Sequence, residues 1–183
     1  SAIFTGYATG TDVNSSFQVK STDSAANTVL IRNDPQLVTT LSLFPATVNV
    51  HQRITVVMNV SNTGQGDANN VGPQPLDLLT TLSGTATVFN INLPSPSTVA
   101  SLTPGASAAF TWVYEPSSTG FVGFSARGQG VDSLTLATVS STTVSSGFAV
   151  VQAPAVLDAA LALQIVNAGN GQNFEVYLTV TNS

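Results

Sequence analysis

The sequence predicts an all-β protein built as an antiparallel β-sandwich, and three observations predict it. Apolar residues alternate with a period of two along several segments, as in Ile54, Val56, Met58 and Val60 against Thr55, Val57, Asn59 and Ser61. Turn residues punctuate the chain densely, at NTGQGD (62–67), GPQP (72–75), PSP (94–96), TPG (103–105), PSSTG (116–120) and NAGNG (167–171). The ends of the 183-residue chain also resemble parts of its middle. Short strands between such turns suit a sandwich of about seven strands in roughly 120 residues.

Taken in order, strands are expected at Phe17–Lys20, Asn27–Arg32, Val38–Phe44, Arg53–Asn62, Thr85–Leu93, Ala106–Glu115, Gly120–Gly128, Val144–Gln152 and Asn173–Asn182. Each is rich in Val, Thr or aromatic residues, which suit a pleated, half-buried surface. Ser95–Leu102 is read as one turn of helix, and no longer helix is expected. Phe110, Trp112 and Tyr114 alternate on one strand and are expected in the core, where a large aromatic anchors two sheets. Exposed, the same three residues would form a platform for carbohydrate.

The repeat sets the domain organisation. RITVVMNVSN (53–62) aligns with NFEVYLTVTN (173–182) at a spacing of 120, with Leu41/Leu161 and Leu43/Leu163 in step. ATGTDVNS (8–15) aligns with ARGQGVDS (126–133) at 118, and Pro35 with Pro154 at 119. Residues 1–36 then read as the C-terminal strands of a preceding unit, 37–154 as one complete unit, and 155–183 as the N-terminal strands of a following unit. The two prolines are expected at equivalent junctions.

Composition limits the chemistry. Charged residues make up 7%, against a usual share of about 25%. Four cations, Lys20, Arg32, Arg53 and Arg127, are too few to neutralise a phosphate backbone, and the net charge is -5, so no nucleic-acid partner is expected. Cysteine is absent and His51 is the only histidine, which leaves little material for nucleophilic catalysis or a multi-His metal site. The acids Asp12, Asp23, Asp34, Asp67, Asp77, Asp132, Asp158, Glu115 and Glu175 are scattered and form no Asp-x-Asp-x-Asp calcium loop. No enzyme activity, cofactor or metal is expected. The most apolar stretches, such as Leu76–Leu82, fall far short of the roughly 20 residues of a membrane span. Ser1–Gly10 lacks the basic start and apolar run of a secretory signal. A secreted protein would have lost one ahead of this sequence.

FPATVNVHQRITVVMNVSNTGQGDANNV (44–71) resembles the opening of the Ig-like modules repeated in bacterial and archaeal surface proteins, with His51-Gln52 where Gly-Gln is usual. LTPGASAAFTWVYEPSSTGFVGFSARGQGVD (102–132) is similar to the second half of CARDB-type adhesion modules. The resemblance implies an Ig-like sandwich in an extracellular or cell-surface repeat protein, where such modules serve as stalks, spacers and adhesion units. It implies no catalytic residues.

Among individual residues, His51 reads as a turn residue without a nearby acidic partner in sequence. The glycine-rich strings GQGD (64–67), ARGQG (126–130) and NAGNGQ (167–172) carry no lysine and open no helix, so they read as turns and not as phosphate cradles. Lys20, the only lysine, has no counterpart in the aligned region, which argues against a repeated Lys–Asn cross-link. Asn14-Ser-Ser and Asn59-Val-Ser match the N-glycosylation acceptor pattern. The stripe Phe174, Val176, Leu178 and Val180 belongs to an incomplete unit and is the candidate assembly surface. The expected function is therefore structural: a filament, stalk or surface layer whose partners are other copies of itself, joined head to tail or in tandem. The alternative is an adhesin-like module that binds surface glycans or a host protein.

Overall fold

The computed structural model describes residues 1–75, 80–82, 84–164 and 167–183. Every regular element among them is a strand. The chain opens with β1 (Thr5–Gly6), β2 (Thr9–Thr11), β3 (Gln18–Lys20) and β4 (Ser24–Ala25). The middle holds β5 (Leu37–Phe44), β6 (Thr47–Asn49), β7 (Ile54–Asn62), β8 (Ala68–Gln74), β9 (Thr80–Leu82), β10 (Val88–Ser95), β11 (Val99–Leu102) and β12 (Ser107–Pro116). It continues with β13 (Gly120–Asp132), β14 (Thr138–Ser140), β15 (Val144–Ser145) and β16 (Ala149–Gln152), and the chain closes with β17 (Leu157–Leu163) and β18 (Val176–Asn182).

The middle strands form a β-sandwich. One sheet runs β10-β12-β7-β5, antiparallel throughout. The facing sheet runs β11-β8-β13-β16-β6, with β9, β14 and β15 also on β13, and β6 lies parallel to β16. The first order is that of the four-stranded sheet of an Ig constant-type sandwich, and β8-β13-β16 follows its three-stranded partner.

Alternation explains the core. Ile54, Val56, Met58 and Val60 of β7 lie inside, as do Phe110, Trp112 and Tyr114 of β12, all fully buried. The register pairs Phe110 with Met58, Trp112 with Val56 and Tyr114 with Ile54. Tyr114 packs on Phe124 of β13 with ring centroids 4.5 Å apart. A polar tie crosses the two sheets: Thr39 Oγ1 and Ser141 Oγ lie 2.7 Å apart, and both accept from the Gly128 N–H. Gly128 has to be glycine, because a Cβ there would sit 2.8 Å from Val60 Cγ1 and 2.9 Å from Thr39 Oγ1. ARGQG is therefore the interior of β13, where backbone and side chains approach closely, and not the turn the glycines suggested.

Other expectations need correction. Val99–Leu102 is a strand paired with β8, not a helical turn. Asn27–Arg32 forms no strand; among the described residues its one ladder contact is the bridge Ala2–Val29. The run 144–152 breaks into β15 and β16 around Ser146, whose N–H bonds the Phe124 carbonyl and whose hydroxyl accepts from the Phe124 N–H. β8 runs through Gly72-Pro73-Gln74, which read as punctuation, because β13 supplies its ladder through Gln129, Gly128 and Arg127, and the register shifts only between Gly72 and Asn69. The apolar stretch Leu76–Leu82 and the carboxylate Asp77 fall largely or wholly outside the described residues.

The pairing at the two ends matches that of the middle at one constant spacing of 120 residues. Leu161 faces Leu178 as Leu41 faces Met58. Thr9 faces Lys20 as Gln129 faces Ser140, and Thr5 faces Ala25 as Ser125 faces Ser145. The bridge Ala2–Val29 corresponds to the pair Val122–Ala149. Asp12 accepts from the Asn14 and Ser15 N–H groups as Asp132 does from Leu134 and Thr135. The spacings of 118 and 119 read from residue identities are thus out of register by one or two residues. Asp12 corresponds to Asp132, and Pro35 to Ala155, so Pro35 and Pro154 do not occupy the same position. Short Gly-Asp strings match at several offsets; a hydrogen-bond ladder fits only one.

Candidate assembly site

β7 lies between two strands, with β5 on one edge and β12 on the other. β18 has β17 on one edge and, among the described residues, no strand on the other. The side chains that are inside on β7 have counterparts that are outside, on β18 and at Phe174 just before it. Phe174, Val176, Leu178 and Val180 are 56%, 49%, 64% and 55% exposed, where Ile54, Val56, Met58 and Val60 are each 0%. Leu157, Leu161 and Leu163 of β17 extend the same apolar surface. The opposite face carries Tyr177, whose hydroxyl donates to the Glu175 carboxylate; that bond and some desolvation hold the phenol above its ordinary value.

The N-terminal strands show the same reversal. Phe4 is 67% exposed, and its counterpart Phe124 is fully buried. Ile3, Tyr7, Phe17 and Val19 are exposed beside it. Asp12 and Asp132 are both held below the ordinary carboxylate range, chiefly by the backbone N–H groups of Ser15 and Thr135.

Sequence reasoning missed the role of Asn62. Its side chain is fully buried and bonded at both ends: Nδ2 donates to Gly66 O and Leu102 O, and Oδ1 accepts from the N–H groups of Gln36 and Gly64. Gln36 is thereby bonded into the middle sandwich, though sequence reading placed it in the preceding unit. The match of Asn62 with Asn182 was the available signal, and Asn182 is exposed.

The remaining candidates are dispersed. Trp112 is fully buried and its Nε1 finds no hydrogen-bond partner, so it offers no surface platform to a sugar. His51 takes a left-handed backbone, φ 67°, where its counterpart is Gly171, φ 88°; its Nδ1 lies 3.3 Å from Glu115 Oε1, a partner distant in sequence. Lys20 pairs with Asp23 at 3.0 Å and lies over the Tyr7 ring. Asn14 is exposed in the Asp12 turn, and Asn59 is exposed on β7 between Thr40 and Ala109 of the flanking strands. Among the described residues, no three His, Asp or Glu side chains group to hold a metal ion, and no helix is long and apolar enough to cross a membrane.

No protein-family model matches the chain, and no curated protein matches it.

Proposed function

We propose that the chain is a structural part of an extracellular filament, stalk or surface layer built from tandem Ig-like sandwiches. In this reading residues 37–154 form a complete unit, and residues 1–36 and 155–183 belong to units on either side. The observation that carries it is the recurrence of one ladder at a spacing of 120 residues at both ends of the chain, with core-type side chains left exposed there. The scarcity of charge supports it too, because a free monomer so poor in charges is weakly protected against association. The likeness of residues 44–71 to Ig-like modules of bacterial and archaeal surface proteins, and of residues 102–132 to CARDB-type modules, points the same way and rests on those residues alone.

Electron micrographs of the protein isolated from its source are expected to show extended rods of regular axial repeat. Val176→Asp together with Leu178→Asp should break those rods and leave the middle sandwich folded. Dispersed single particles from the unaltered protein would contradict the reading.

An adhesin-like role is the second reading, with glycans as partners. Its best support is a groove of about 210 Å3 lined by Asn70, Gln74, Thr98, Gln129 and Thr138. Amides and hydroxyls suit sugar hydroxyls. The groove is smaller than the roughly 300 Å3 at which ligand pockets begin, and no aromatic side chain lines it.

A further inference from the structure

The two open surfaces lack the same thing. Resting on the tandem reading above, we infer that both are docking faces for a further unit's copy of the segment 64–120, and that the ends of two copies of this chain do not complete one another. In the middle sandwich β12 covers the edge of β7, and β8 and β9 pair with β13. All three strands, with β10 and β11, come from residues 64–120. That stretch is the one part of the 120-residue period that the chain holds only once, since residues 1–63 and 121–183 correspond. Joining the C-terminal strands of one copy to the N-terminal strands of another would supply neither a β8 nor a β12. It would also omit Phe110, Trp112 and Tyr114, among the largest side chains of the core. The β12 of a second copy is no substitute, because both its edges are occupied, by β7 and β10.

The corresponding contacts define the occupant. The strand that docks on β18 runs antiparallel, with a counterpart of Trp112 opposite Val176 and a counterpart of Phe110 opposite Leu178. Asn182 supplies a second, independent indication. Its counterpart Asn62 donates to Gly66 and Leu102, both inside residues 64–120. An asparagine at position 182 has the same use only when that segment is beside it.

The test extends the full chain with its own sequence. One variant carries residues 64–152 after Ser183, and a second carries residues 33–120 before Ser1. Hydrogen exchange of the first should slow by about 100-fold or more at the β18 amides that face its open edge, and of the second at Tyr7–Asp12. Both variants should stay monomeric. Replacing the Phe110, Trp112 and Tyr114 counterparts of the added segment by Ser should abolish the protection. If neither extension protects its end, the inference is overturned. It is equally overturned if the unextended chain protects both ends as its concentration rises, since the ends then complete each other. That second result would leave a filament intact as the function, and absence of rods from the native source would not touch the docking result.

Discussion

The strand pairs β5–β7 and β17–β18 share one register, residue for residue, and differ in everything that follows from packing. In the first pair the inward side chains are sealed by β12 and by the facing sheet; in the second the same positions meet water. The comparison separates two contributions that a folded sandwich normally merges. A hydrogen-bond ladder fixes geometry but adds little net stability, because water offers the same bonds to the open chain. Removal of apolar surface from water needs a second layer, and a lone hairpin is marginal without one.

The largest effect is expected at Trp112. Trp112→Ala should cost about 3–5 kcal/mol, because a fully buried indole leaves a large cavity. Leu178→Ala, on the uncovered face, should change stability by no more than about 0.5 kcal/mol. Chemical denaturation followed by circular dichroism measures both. Next comes Asn62→Ala, which strands two buried carbonyls and two backbone N–H groups and should cost about 2–3 kcal/mol; Asn182→Ala should be close to neutral.

Acid should sharpen the contrast between Asp132 and Asp12. Both carboxylates sit below their ordinary value because backbone N–H groups favour the charged form. Their contribution is therefore fully present above the ordinary carboxylate range and is lost as pH falls through the lowered native values. Unfolding of the middle sandwich, followed from pH 7 down to about pH 2, should lose its acid dependence in part in Asp132→Ala and keep it in Asp12→Ala. A small effect is also expected of His51→Gly. Relief of a left-handed backbone is offset by the flexibility of glycine in the unfolded chain, and the net change in melting should correspond to about 1 kcal/mol or less.

Much of the fold was legible because burial writes a period of two. Ile54–Val60 and Phe110–Tyr114 alternate cleanly, and both strands and their inward faces follow from that alone. What was not legible depends on contacts distant in sequence. Equating glycine with a turn fails at residues 126–130, since Gly128 in β13 answers to Val60 and Thr39 rather than to a bend. β8 hides behind Pro73 because its ladder is decided by β13, which comes some 50 residues later. The exposed apolar stripe of β18 was visible as a core pattern in the wrong place, and its register became definite only through the backbone pairs. Asn62 was visible as a match to Asn182, but its acceptors at Gly66 and Leu102 belong to the tertiary structure.

The corresponding strands β7 and β18 differ because only β7 is covered. The chain contains no cysteine, so single Met58→Cys and Leu178→Cys variants report on each strand without interference. Thiol labelling at neutral pH should modify Leu178→Cys at nearly the rate of a free peptide and Met58→Cys at least about 1,000-fold more slowly, limited by opening of the sandwich. Equal rates at the two positions would contradict the account.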